Sequence, residues 1–283
     1  MRSTRKPGER FKGQTVLVTG SGQGIGMVTA MRFAEEGAQV AVVARRDLAK
    51  AQSVVDRIKA AGGVAQAFTC NVRRVAEIQA LVSAVVDAFG TIDILFNNAG
   101  ADYATPMGTT READYDRMQE SNLKGTFFVM NSVVPIMKEK QSGKIINMTA
   151  MLVDVPVARM GLYCATKAAI GMLTRCMAWE LAPHGINCNA IAPGNTITKE
   201  HQKIFDNPAY ADVVDYFVSR TPARKRKWSG PEDIAEAVLF LASEEADGMY
   251  GTTLVFDEGM SQGWSGVTSN GRPLIPDEVM DKD

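Results

Sequence analysis

The sequence predicts an α/β protein: a single doubly wound domain on a parallel sheet of about seven strands, with helices covering both faces. Three observations predict it. Short apolar runs alternate with longer amphipathic ones from residue 15 to residue 256. The short runs are almost continuously apolar, as strands buried on both faces must be. A glycine-rich turn directly follows the first of them, where such sheets bind charged ligands.

Taken in order, the β-rich runs are residues 15–18, 39–44, 64–69, 94–97, 144–148, 186–191 and 253–256. Helical periodicity fills the gaps at residues 27–36, 48–61, 75–89, 112–139, 162–182 and 231–242. Pro231, directly after Gly230, suits the first position of the last helix. Asp47 is placed to cap the helix that follows the second strand. Two stretches break the rhythm. Residues 195–228 are polar, contain Pro208 and Pro222, and follow a strand's carboxyl end, so they are expected to form a substrate lid with short helices such as 210–219. Residues 261–283 form a C-terminal tail whose Trp264, Leu274 and Ile275 are apolar enough to dock. The domain is thus expected over residues 12–260, with residues 1–11 as a flexible N-terminal tail.

Composition narrows the function classes. The formal net charge of the 283 residues is −1, so no field suggests a nucleic acid or an anionic membrane as partner. No apolar run is long enough to span a bilayer. The basic start, with Arg2, Arg5, Lys6 and Arg10, has no apolar core behind it and reads as a tail, not a signal peptide. Cys70, Cys164, Cys176 and Cys188 lack metal-ligand spacing; with no metal site in view, they fit a reducing, cytoplasmic setting.

The chemistry is carried by two motifs. In Thr19-Gly20-Ser21-Gly22-Gln23-Gly24-Ile25-Gly26 a strand, a tight turn and a helix start follow one another. Glycines let the backbone approach a pyrophosphate, and the free N–H groups at the helix start face its charge. The second strand then ends in Ala44-Arg45-Arg46, where an acid would accept from the ribose hydroxyls of NAD and a cation would take a 2′-phosphate. NADP(H) is therefore the expected cofactor and NAD(H) the alternative. Gln23, in the glycine turn, is uncharged and adds nothing to that preference. The second motif is Tyr163 and Lys167. Residues four apart share a helix face, so the ammonium can lie beside the phenol and favour its ionised form. Bringing a tyrosine from about 10 to about 7 takes roughly 4 kcal/mol and would let a proton move either way at neutral pH.

Together with Asn97-Asn98-Ala99-Gly100, Asn122 and Pro193-Gly194, these motifs resemble the short-chain dehydrogenase/reductase family over about residues 12–260. The resemblance implies a Rossmann domain in which Tyr163 is the acid/base. It makes Lys167 the group that lowers the tyrosine pKa and holds the nicotinamide ribose, and Asn122 the holder of a water on the proton path. It places Gly20, Ser21, Gln23, Gly24, Ile25 and Gly26 at the phosphates, with Arg45 and Arg46 at the ribose. Asn71, with Val72, falls near the adenine where relatives usually carry an aspartate. Asn98, Ala99 and Gly100 would pass the adenosine side, Asn97 would brace the sheet, and Pro193, Gly194, Thr196 and Thr198 would line the nicotinamide.

One position departs from the pattern. Ala150 stands where the family carries a serine that donates to the substrate oxygen, and losing one such donor typically costs about 2.7 to 4 kcal/mol. Thr149 is the obvious substitute, but strand alternation points it to the other face. Ala150 is explained by an engineered change, by a donor elsewhere, or by lost redox activity. The expected function is interconversion of a secondary alcohol and a ketone by an NADP-dependent enzyme acting on a small molecule. The alternatives are an impaired or non-redox homologue: a sensor, a structural subunit, an isomerase or a dehydratase. Tyr103, Met151, Asp154 and Met160 are expected in the pocket, and the family resemblance implies a homotetramer, with a dimer as the alternative.

Overall fold

The computed structural model describes residues 8–199, 202–203, 206–223 and 228–262. Its elements are β1 (Thr15–Val18), α1 (Gly24–Glu35), β2 (Gln39–Ala44), α2 (Leu48–Ala60), β3 (Val64–Thr69), α3 (Val75–Phe89) and β4 (Ile94–Asn97). After them come α4 (Glu112–Gln119), α5 (Gly125–Lys140), β5 (Gly143–Met148), α6 (Gly161–Leu181), β6 (Ile186–Pro193), α7 (Ala211–Arg220), α8 (Pro231–Ala242) and β7 (Thr253–Phe256). The strands form one sheet in the order β3-β2-β1-β4-β5-β6-β7, every pair parallel. The chain reverses direction of growth between β1 and β4, so their carboxyl ends open the crevice where such sheets take ligands.

Strand alternation builds two cores from the same residues. Val16, Val18, Val40 and Val42 join Phe33, Ile234 and Val238 on one side, while Leu17, Ala41 and Val43 join Ile78, Val82 and Met137 on the other. Each such buried side chain contributes about 1.5–3 kcal/mol. The helix ends follow local chemistry. Asp47 caps α2 by accepting from Ala49 N at 3.1 Å, and Gly90 ends α3 in the left-handed region at φ 82°. The Asp233 carboxylate accepts from Gly230 N at 2.7 Å ahead of Pro231.

Three boundaries differ from expectation. The helix expected over 112–139 is α4 and α5 joined by a π-helical turn, Glu120–Lys124. The backbone keeps helical dihedrals on both sides of that turn, at Gln119 and Gly125, which is why the stretch reads as one helix. β6 runs on to Pro193, which pairs with Phe256. At the other end, residues 8–11 are not a loose tail. Phe11 is fully buried, edge-on to Phe33 with ring centroids 4.9 Å apart, because an aromatic side chain that can reach the core stays there. The remaining tail residues 1–7, part of the stretch 195–228 expected to form a lid, and residues 263–283 with Trp264, Leu274 and Ile275 lie outside the described residues.

Candidate active site

The glycine turn and the Asn98 segment are locked to each other at the end of β1. The Thr19 hydroxyl accepts from Asn98 N at 3.1 Å and Ala99 N at 3.0 Å. The Asn98 amide donates to the carbonyls of Thr19 and Gly20 at 2.9 and 3.1 Å. Gly20 and Gly24 sit at φ 66° and 58°, a region other residues avoid. A side chain at Gly26 would bring a Cβ within 2.7 Å of the Gly20 carbonyl, so α1 can start this close to β1 only on glycine. Gln23 is extended and makes no side-chain cap at the start of α1. Together with the glycine backbone this leaves a cradle suited to a pyrophosphate, with Ile25 on the cavity side.

Ser21 is turned inward. Its hydroxyl donates to Val18 O at 2.7 Å and accepts from Val43 N at 2.8 Å, tying β1 to β2. Arg45 and Arg46 are exposed at the carboxyl end of β2, and neither forms an ion pair among the described residues. Asn71 and Val72 are buried after β3. The Asn71 amide oxygen accepts from Arg73 N at 3.3 Å, and Val72 packs so closely on Gly125 that a Cβ there would come within 2.9 Å.

A cavity of about 450 Å³ opens at the carboxyl ends of β1, β4, β5 and β6. Asn98, Gly100, Tyr163 and Lys167 line it from one side, with Pro193, Gly194, Thr196 and Thr198 across from the β6 end. Met151 and Met160 line it as expected, and the stretch 195–228 contributes Asn195, Val214 and Trp228. Tyr103 and Asp154 do not. The Tyr103 hydroxyl instead donates to Asp114 O at 2.6 Å, and its ring lies 4.3 Å from the Arg117 guanidinium. Gly194 can pass beside Asp257 only because it lacks a Cβ, which would fall 2.6 Å from the Asp257 Cα.

Lys167 is buried on α6 and donates to the Met148 carbonyl at 2.8 Å. Burial lowers its pKa to about 8, against an opposing pull from Asp102. Its ammonium lies 5.7 Å from the Tyr163 ring centroid. Burial, followed by the charges of Asp102 and Cys164, pushes the Tyr163 phenol above its ordinary value. The lowered phenol expected from the Tyr-x-x-x-Lys spacing is therefore not what the protein groups alone produce: the lysine is spent on a carbonyl and desolvation prevails.

The buried lysine carries its own prediction. A folded-state pKa of about 8 against 10.5 unfolded means the unfolded chain binds more protons between those values, so stability rises with pH through that window. The penalty, present in full below pH 8, corresponds to about 3 kcal/mol. Lys167→Met should therefore be more stable than the parent at pH 7 by up to that amount, with the gap closing towards pH 10.5. Denaturant titrations across that range check it, and a gap that does not change with pH would contradict it.

Asn122 lies in the π-helical turn with its amide fully engaged. It accepts from Ala101 N at 2.7 Å and donates to Ala101 O and Thr166 Oγ1, both at 3.0 Å. Thr166 in turn donates to Tyr163 O at 2.8 Å, so the π turn, the Gly100 segment and α6 are held as one unit. Asn97 donates to Asn147 Oδ1 at 2.9 Å and braces β4 against β5, as expected. Ala150 is buried in extended backbone with its methyl on the cavity. The Thr149 hydroxyl donates to Ile191 O at 2.9 Å, so its proton is committed to the sheet. No hydroxyl donor therefore stands at 149 or 150.

A family model described as enoyl-(acyl carrier protein) reductase matches residues 20–261. The chain belongs to the short-chain dehydrogenase/reductase family. It is 36% identical over 247 residues to the 3-oxoacyl-(acyl-carrier-protein) reductase FabG of Staphylococcus epidermidis, covering 87% of this chain and 98% of the relative. It is also 36% identical over 252 residues to 3beta-hydroxysteroid dehydrogenase 1 of Eggerthella lenta, covering 89% and 95%. The crystal structure of a gluconate 5-dehydrogenase from Burkholderia cenocepacia J2315, in complex with NADP and tartrate, superimposes with a TM-score of 0.83 at 32% identity, covering 90% of this chain and 99% of that one.

As a short-chain dehydrogenase/reductase, the protein is an enzyme of the dehydrogenase/reductase kind on the expected Rossmann-like fold. No helix among the described residues is long and apolar enough to cross a membrane, and among them no cluster of His, Cys, Asp or Glu could hold a metal. Sequence reasoning missed Asp102, a cavity-lining carboxylate whose charge acts on both Tyr163 and Lys167. Its place two residues beyond Gly100 was the available signal.

Proposed function

We propose that this enzyme interconverts a secondary alcohol and a ketone with NADP(H), Tyr163 exchanging the proton with the substrate oxygen. The observation that carries the reading is the convergence of Tyr163, Lys167 and the Pro193–Gly194 segment on one cavity that also reaches the glycine cradle at Ile25. The glycine positions, Asn98 and Lys167 fit a nicotinamide dinucleotide, which supplies the hydride when bound.

The chain's own residues do the rest. Lys167, buried and positively charged at neutral pH, favours phenolate over phenol at Tyr163 as soon as its ammonium is drawn towards the ring. Asn122 fixes Ala101 and Thr166, and through them the height of Tyr163 over the cavity. Met151, Leu152 and Met160 keep the reacting carbon in apolar surroundings. Arg45 and Arg46, exposed at the end of β2 with Asp47 occupied in capping α2, support recognition of a 2′-phosphate. The exposed Trp179 and Met172 on α6 and Phe127 on α5 support a homo-oligomer, which sedimentation equilibrium tests directly.

A panel of ketones and secondary alcohols assayed with both cofactors tests the reading. Turnover should favour the phosphorylated cofactor by about tenfold or more, on the order of one lost charged contact. Equal or better use of NAD(H) would remove the Arg45/Arg46 argument. The second reading, a non-redox homologue, is favoured by Ala150 and by the raised Tyr163 pKa. Conversion of substrate with no change in nicotinamide absorbance would establish it.

A further inference from the structure

Asp102 stands apart from the rest of the cavity wall. It follows Ala101, whose N–H and carbonyl are both held by the Asn122 amide at 2.7 and 3.0 Å, so the backbone that presents it is fixed from the π-helical turn. It lines the same cavity as Tyr163, Lys167 and Ala150, and among the described residues it is the only carboxylate there. The same wall carries the apolar side chains of Met151, Leu152, Met160 and Val214 beside uncharged polar ones such as Asn98 and Asn195. Among the described residues its carboxylate has neither a hydrogen bond nor an ion pair. The nearby cation does not serve as one, since Lys167 donates to the Met148 carbonyl.

We propose that Asp102 selects the substrate: its carboxylate accepts from hydroxyl or ammonium groups on the part of the substrate remote from the reacting carbon and repels substrates carrying a carboxylate there. This inference rests on the alcohol/ketone reading and deepens it. A carboxylate without a protein partner, on a cavity whose other charged group is already bonded to a carbonyl, is matched by a donor on the ligand, because an acceptor-only group gains nothing from an apolar or anionic one. Asp102 is exposed on its loop, so water solvates the carboxylate until the substrate arrives. Two like charges a few ångströms apart in such a partly wetted site lower affinity on the order of tenfold. Sugar acids are therefore disfavoured, and neutral polyols, hydroxyketones and amino alcohols are favoured.

The test uses three cyclic ketones of one skeleton, carrying a hydroxymethyl, an ammonium or a carboxylate substituent, with the full-length enzyme and NADPH. For the parent, kcat/KM should be about tenfold or more lower for the carboxylate probe than for the other two, the difference lying mainly in KM. Asp102→Asn should bring the carboxylate probe to within about threefold of the hydroxymethyl probe, while the ammonium probe loses its advantage. Unchanged ratios in Asp102→Asn would overturn the proposal. So would a uniform change across all three probes, since a residue acting only through Tyr163 or Lys167 alters every substrate alike. Equilibrium dialysis of the same probes against the NADP-loaded protein separates the two readings. Charge-selective binding without turnover would sink the oxidoreductase reading and uphold Asp102, and binding indifferent to charge would sink Asp102 whatever the turnover.

Discussion

Tyr163→Phe should lower kcat by roughly a thousandfold while leaving cofactor affinity within about twofold of the parent, because a positioned acid/base contributes on the order of a hundred- to ten-thousandfold. Among the described residues no protein group bonds the phenol, whereas the cavity-lining Thr149 hydroxyl donates to Ile191 O and that of Thr196 to Gly194 O. Removing it takes away proton transfer but little packing, as the ring stays in place above Lys167. Parent and variant should therefore unfold at similar denaturant concentrations. A sensor or structural homologue would show the opposite pattern, with no turnover in the parent to lose. Fluorescence titration with NADPH beside steady-state kinetics distinguishes the cases.

Ala150→Ser should raise kcat by at least about tenfold, towards the hundred- to thousandfold that one oxyanion donor typically supplies. Residue 150 is extended, buried and lines the same cavity as Tyr163, so a hydroxyl added to its Cβ is placed to donate to a substrate oxygen beside the phenol. The gain should appear in kcat more than in KM, since charge on that oxygen develops in the transition state. No gain would mean that another group already donates. The Asn195 amide is then the first to remove, because it lines the cavity and its contact there is only a long one to the Met260 sulfur at 3.7 Å.

The sheet was legible because its physics is local. Apolar runs such as Thr15–Val18 and Gln39–Ala44 are buried on both faces and end abruptly at glycine or charge, so their limits show in composition alone. The π-helical turn at Glu120–Lys124 was hidden, since the backbone keeps near-helical dihedrals at both of its ends and nothing in the composition marks one wide turn. Phe11 was masked by the basic residues around it, although Arg10 reaches Glu36 and Glu236 while the ring goes inward. In the site, Tyr163, Lys167 and the glycine turn announced themselves by spacing. What spacing does not carry is competition for a group. That Lys167 serves Met148, that the Thr149 proton serves Ile191, and that Asp102 presses on both Tyr163 and Lys167 depend on contacts between distant segments.

The most direct test of the central claim is transfer of deuterium from NADPH, labelled at its transferable position, into the product of the hydroxymethyl cyclic ketone, read by mass spectrometry. Label should appear at the new carbinol carbon in step with loss of nicotinamide absorbance, and roughly a thousandfold more slowly in Tyr163→Phe. Product that forms without label, or label transfer that survives Tyr163→Phe undiminished, would contradict it.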